Sequence, residues 1–299
     1  MSSILNDYSL DTGCFLSEHA ALLALSMDSL SQQDKPHSYV VSYFVDNGAI
    51  REVGTYGWPI VSMAMSTTAI PKFGLALGAE GELLSIDRSG ARDVSAANSP
   101  NNAHLRGPMR KVRCIDGQMI VVGMNRQAYV IHQDGLWEDI SPAPAVGPVS
   151  GFEAIAGLAR EDIVCAGWRG EIWCRTAGAW RQLPSPTNTL ITDLAVSEDG
   201  TYYACGLNGL VLTGRGDQWR VLDQGRFDLN LYSVAVAGEH VYLSSLYGVY
   251  ELRDDLLYRV AIAPPPGTAH VVQAIGSGVA LLGAKDLYLM SDGRWRRLE

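Results

Sequence analysis

The chain has 299 residues, 47% of them hydrophobic and 18% charged, and a formal net charge of −9. That length supports one large domain or two ordinary ones. An acidic surface repels phosphate backbones, which argues against nucleic acid and for a basic protein partner. No run approaches the roughly 18 apolar residues of a membrane helix. The opening residues lack a basic n-region, so the expectation is a cytoplasmic protein without membrane contact. Cys14, Cys114, Cys165, Cys174 and Cys205 are odd in number and form no CxxC. They are expected to stay free and to pack as small hydrophobes.

The first elements are the stretches "AALLALSM" (20–27), "SYVVSYFV" (38–45) and "GAIREVG" (48–54). They are expected as the first, second and third strands of an opening unit. The Ala/Leu content of the first also suits a short helix, in which case six units plus an N-terminal appendage is the alternative. Further along, Gly78, Gly123, Gly167, Gly206, Ser245 and Gly283 each follow an apolar run. They recur at roughly forty residues, the period of a four-stranded propeller blade.

The clearest unit contains "LITDLAVS" (190–197), the turn Glu198–Gly200, "TYYACGL" (201–207), Asn208-Gly209, "LVLTGR" (210–215) and "QWRVLD" (218–223). Its strands are short and rich in Val, Leu, Tyr and Trp. Asn-Gly suits a hairpin turn whose central residues both take positive φ. The reading is all-β: a single seven-bladed β-propeller, 1–299, of four-stranded antiparallel blades. The blades fall at about 14–59, 60–105, 106–149, 150–189, 190–229, 230–269 and 270–299. Alternation of apolar and polar residues is poor because each blade packs between two neighbours and buries both faces. Trp137, Trp180, Trp219, Tyr258 and Trp295 are expected in the fourth strands, filling space where blades splay apart.

The run "GEIWCRTAGAW" (170–180), with "QDGLW" (133–137) and "SDGRW" (291–295), resembles the repeat phrase of Asp-box (BNR-type) propellers. Sialidase-like proteins and assembly factors of photosynthetic reaction centres belong to that class. The resemblance covers roughly 115–299. It implies the propeller fold and transfers no catalytic role, because Asp boxes stabilise turns.

No P-loop, GxSxG elbow or HExxH occurs, and the six histidines never fall two or four residues apart. No cofactor, metal or catalytic residue is expected. Glu138-Asp139, Glu161-Asp162, Glu198-Asp199 and Asp254-Asp255 could pair as acid and base, but nearly all fall in expected turns. A sialidase-like hydrolase would also need arginines gathered on a substrate carboxylate, for which Arg51, Arg110 and Arg113 are the candidates. Attention therefore moves to loops. Turns between second and third strands share a rim with the connections at 96–108, 141–150, 184–189, 223–230 and 263–269. That rim is expected to display Arg126, Trp168, Arg169, Asn208, Arg226, Phe227 and Tyr247, the aromatic and arginine composition of a protein-binding hot spot. The competing expectation has Trp168 and Phe227 folding back over the blades. The profile is that of a non-enzymatic protein-binding propeller, with a bacterial immunity protein that neutralises a basic toxin domain as its specific form. A scaffold or assembly factor and a sialidase-like glycoside hydrolase are the alternatives.

Overall fold

The computed structural model describes residues 4–66, 72–95, 105–143 and 150–298. Seven four-stranded antiparallel sheets follow one another along the chain, and within each the spatial order of strands is the sequence order. The innermost strands are Tyr8–Ser17, Ile60–Met65, Met109–Ile115, Phe152–Ala159, Ile191–Val196, Leu231–Ala237 and Val271–Ile275. Each touches the inner strands on either side, and the last returns to the first. The molecule is a seven-bladed β-propeller.

The N-terminal region is a full blade, but its strands are shifted from expectation. Ala20–Met27 is the second strand, Ser38–Phe44 the third and Ala49–Tyr56 the fourth, with Tyr8–Ser17 as the inner strand. Ala20–Met27 is extended despite its helix-forming residues. Strands pair with both of its edges, and Ala21–Leu25 are buried, so packing overrides propensity. The inner strand was hidden because it carries Asp11, Gly13 and two register shifts. It closes the ring: the Leu10 amide donates to Ala284 O (2.8 Å), the Phe15 amide to Gln273 Oε1 (3.0 Å) and Lys285 Nζ to Tyr8 O (2.7 Å).

The core is a set of apolar layers between adjacent blades. Between the fourth and fifth, Ala154, Val164 and Ile172 meet Leu194, Ala204 and Leu212. Each large side chain fully buried in such a layer contributes about 1.5–3 kcal/mol.

The outer strands fill the splayed perimeter from one register position, the second pair from the third-to-fourth hairpin turn. Trp137, Trp180, Trp219 and Trp295 occupy it, opposite Ile131, Arg175, Gly214 and Met290. Trp137 Nε1 donates to Val94 O (2.9 Å) and Trp180 Nε1 to Ile140 O, each reaching the preceding blade. Gly214 is required opposite Trp219, because a Cβ there would lie 2.2 Å from the indole. Ile50 and Leu257 hold the position in the first and sixth blades. Tyr258, expected as filler, is one residue out of phase. It pairs with Glu251, is 45% exposed and lies under the Arg253 guanidinium at 5.6 Å. In the second blade the position belongs to Ala91, opposite Ile86.

Candidate partner-binding rim

Turns between second and third strands hydrogen-bond to the chain that links the blades, so both lie on one rim. The Asn125 amide donates to Ser150 O (2.9 Å), Trp168 N to Gly151 O (3.0 Å), Leu207 N to Leu190 O (3.2 Å) and Ala269 N to Leu246 O (3.3 Å). The turns are tight because consecutive residues take positive φ: Asn125 and Arg126 (57° and 58°), Arg169 and Gly170 (60° and 68°), Asn208 and Gly209 (56° and 72°). Gly209 admits no Cβ, which would meet Phe227 O at 2.1 Å. The rim is therefore a rigid scaffold for whatever its tips display. Residues 96–104 and 144–149 of the expected connections lie outside the described residues.

The sequence-expected residues divide into two groups. Three turn inward. Arg126 donates through Nε to Glu171 Oε2 (2.7 Å) and lies 4.8 Å from the Trp173 ring centroid. Glu171 also accepts from Trp173 Nε1 (2.8 Å), so the trio rivets the third blade to the fourth. Trp168 is half-buried, its Nε1 donating to Glu153 Oε1 (2.6 Å), and Arg110 pairs with the same carboxylate oxygen (3.1 Å). Phe227 sets its ring edge-on to Tyr250 at 4.9 Å. The other four face solvent. Arg169, Asn208 and Arg226 are exposed, and Tyr247 is 67% exposed beside Leu246 at 40%.

Sequence reasoning missed what surrounds Tyr247. Arg259 comes from the outer strand Leu256–Arg259 and donates to Tyr247 O (3.0 Å). Next to it, Val260, Ile262, Pro265 and Pro266 line a groove of about 290 Å³. The run "APPPGTA" showed a stiff connection, but only its fold against the sixth blade makes a groove.

No protein-family model matches the chain. Over 296 residues, 96% of this chain and 96% of the other, it is 31% identical to immune protein Tsi7 of Pseudomonas aeruginosa (strain PAO1). The chain belongs to the Tsi7 family of immune proteins. Among solved structures, the WD40 propeller domain of Doa1 superposes with a TM-score of 0.73 at 12% identity, covering 96% of this chain and 93% of that one. That likeness is one of fold alone.

In this Tsi7-family chain the negative charge gathers on the opposite rim, where first-to-second and third-to-fourth turns lie. Glu18, Asp46, Asp116, Asp134, Glu161, Glu198, Asp199, Asp217, Glu239, Asp254, Asp255 and Asp292 are all exposed there. Lys72, Arg88 and Arg160 are the basic residues of the same described turns. Asp134, Asp199, Asp217 and Asp255 serve the backbone or a neighbouring blade. Asp199 accepts from the Thr201 amide (3.0 Å), and Asp217 and Asp255 take Arg181 and Arg220 from preceding blades (2.6 and 2.8 Å). The Ser197 and Thr201 bonds hold the Asp199 carboxyl below the usual range.

Near the axis, Asp193 is fully buried and accepts from Lys111 Nζ (3.0 Å), Arg113 (3.1 Å), Ser233 Oγ (2.9 Å) and the Val234 amide (3.2 Å). Burial alone would raise its pKa; the Lys111 and Arg113 charges and the hydrogen bonds outweigh that and hold it below the ordinary value. This arrangement separates the arginines a sialidase-like site would gather. Arg113 is engaged by Asp193 and Arg110 by Glu153, while Arg51 stands on the outermost strand Ala49–Tyr56. Among the described residues no group of three or more His, Cys, Asp or Glu could hold a metal ion.

Proposed function

We propose that this protein is an immunity protein that binds a toxin and neutralises it by covering a functional surface of it, without catalysis of its own. The observation that carries this reading is the end-to-end relationship to immune protein Tsi7. The docking surface is the rim of second-to-third turns. Tyr247 and Leu246 are its exposed anchor beside the Arg259 groove, and Arg169, Asn208 and Arg226 supply hydrogen bonds around them. Aromatic and arginine residues at the centre of a well-ordered surface dominate binding energy, and a tight-turn scaffold loses little entropy on association. Arg126, Trp168 and Phe227 belong to the same surface as supports that hold its tips in place. The toxin domain is basic, complementary to a chain of net charge −9. The protein works in the cytoplasm, where its five free cysteines stay reduced. The fold's kinship within propellers is with the Asp-box type, whose turns "QDGLW" and "SDGRW" echo.

The carboxylate-rich rim is the alternative docking face for a basic partner. Capture of the tagged protein from its own host, followed by mass spectrometry, tests the reading. A stoichiometric toxin-like partner supports it; a stable set of housekeeping subunits makes the chain an assembly factor instead. Tyr247→Ala then separates the faces. Loss of the complex assigns docking to the turn rim, whereas retention with steep salt sensitivity assigns it to the acidic rim.

A further inference from the structure

The position that tryptophan fills in four blades is empty in the second. Ala91 pairs with Ile86, so the two side chains share a face of the sheet. Ile86 packs on Leu22 and Val40 of the first blade, which places the Ala91 methyl on that same side. Beside it a cleft of about 410 Å³ opens between the two blades. Leu22, Phe44, Met65 and Ile86 form its apolar walls.

The cleft also gathers charged residues. Arg51, Lys72 and Arg88 line it, and among the described residues none of the three makes an ion pair. Two carboxylates, Glu52 and Asp87, also line the cleft, each already holding a hydrogen bond. Asp87 accepts from the Ser89 amide (2.7 Å), and Glu52 bonds to Tyr39. The inner-strand cations, by contrast, are paired: Arg110 with Glu153, and Lys111 and Arg113 with Asp193. In a chain of net charge −9, three cations without an ion pair thus stand beside two carboxylates around this apolar opening and leave it net positive. Its volume lies in the range that small-molecule sites occupy.

We propose that the cleft between the first and second blades is a binding site for a small aromatic carboxylate. Its ring takes the place that Trp137, Trp180, Trp219 and Trp295 hold in other blades, and its anionic group is met by Arg51, Lys72 and Arg88. This inference stands apart from the turn-rim reading, since the cleft lies toward the carboxylate-rich end of the blades.

The test uses indole-3-acetate as the probe, with neutral indole as its control. On the full-length protein, indole-3-acetate at about ten times its Kd should raise Tm by roughly 2–4 °C and give saturable heat in calorimetry. Indole should bind at least about tenfold more weakly. Ala91→Trp, which completes the repeat pattern, should abolish the binding while leaving Tm equal or higher. The double variant Arg51→Gln/Lys72→Gln should weaken binding about tenfold without moving the ligand-free Tm. It also keeps the proposal testable if Ala91→Trp does not fold. Absence of any shift at 10 mM of the probe (about the weakest useful affinity) overturns the site. So does binding that survives Ala91→Trp, and equal affinity for indole removes the carboxylate from the proposal.

Discussion

The two rims of this propeller are built from equivalent hairpins yet differ in what they expose. On the rim of second-to-third turns, several charges are consumed in pairs such as Arg126–Glu171 and Lys285–Asp28. Tyr247 and Leu246 stand exposed there with Arg169 and Arg226, together with a scatter of carboxylates such as Asp34, Glu80 and Asp228. On the other rim most described turns carry a carboxylate. The reason is connectivity. The first rim must carry the chain between blades, so its turns bond to long connections and bury their polar groups. The second carries only hairpins, whose Asp and Gly residues satisfy positive φ and then point into water. Strands of five or six residues separate the rims by about 17–20 Å, roughly twice the screening length of about 8 Å at physiological salt. The two surfaces are therefore electrostatically independent.

Five variants probe that contrast. Asp193→Ala should have the largest effect because it leaves Lys111 and Arg113 unpaired near the axis. A loss of about 3 kcal/mol is expected in urea denaturation, affecting both rims alike. The Asp193 carboxyl is depressed in the fold, so its contribution is complete above the ordinary carboxylate value near 4 and lost as pH falls through the lower folded value. The variant should accordingly show a flatter acid limb in its stability–pH curve. Tyr247→Ala should cost about 2 kcal/mol of partner affinity, roughly 30-fold in Kd, with Tm unchanged. Arg126→Ala should lower stability by about 1–2 kcal/mol through loss of the Glu171 bond and the Trp173 contact, measured by thermal melting.

Reversing charge on the far rim should matter less. Glu161→Lys/Glu239→Lys is expected to change partner Kd by under about threefold at 0.15 M salt, with any effect on association rate confined to low salt. A larger loss there than in Tyr247→Ala would move the docking site to the acidic rim. Smallest of all, Arg181→Ala removes an exposed pair with Asp217, and the denaturation midpoint should not move.

Much of the architecture was legible because its signals are local. Asn208-Gly209 forms its turn from two adjacent residues, and the spacing of such turns counts the blades. The first blade was misread by one strand because its inner strand is interrupted by Asp11 and Gly13, which mimic a loop. Tyr258 was misassigned by one residue because Leu256, Leu257 and Tyr258 are consecutive apolar residues, so no alternation marks which of them faces the blade. The candidate site was legible in its location but not in its division of labour. Nothing near Arg126 in sequence reveals Glu171, forty-five residues on, and nothing near Phe227 reveals Tyr250.

Strand number, turn type and the ring itself follow from short-range chemistry that the sequence carries in every repeat. Which rim residues remain free, and whether Ala91 faces solvent or a cleft, depends on contacts with other blades. Those partners are set by packing across the ring, where residues distant in sequence compete for the same space and the same charges, so only the tertiary structure decides them.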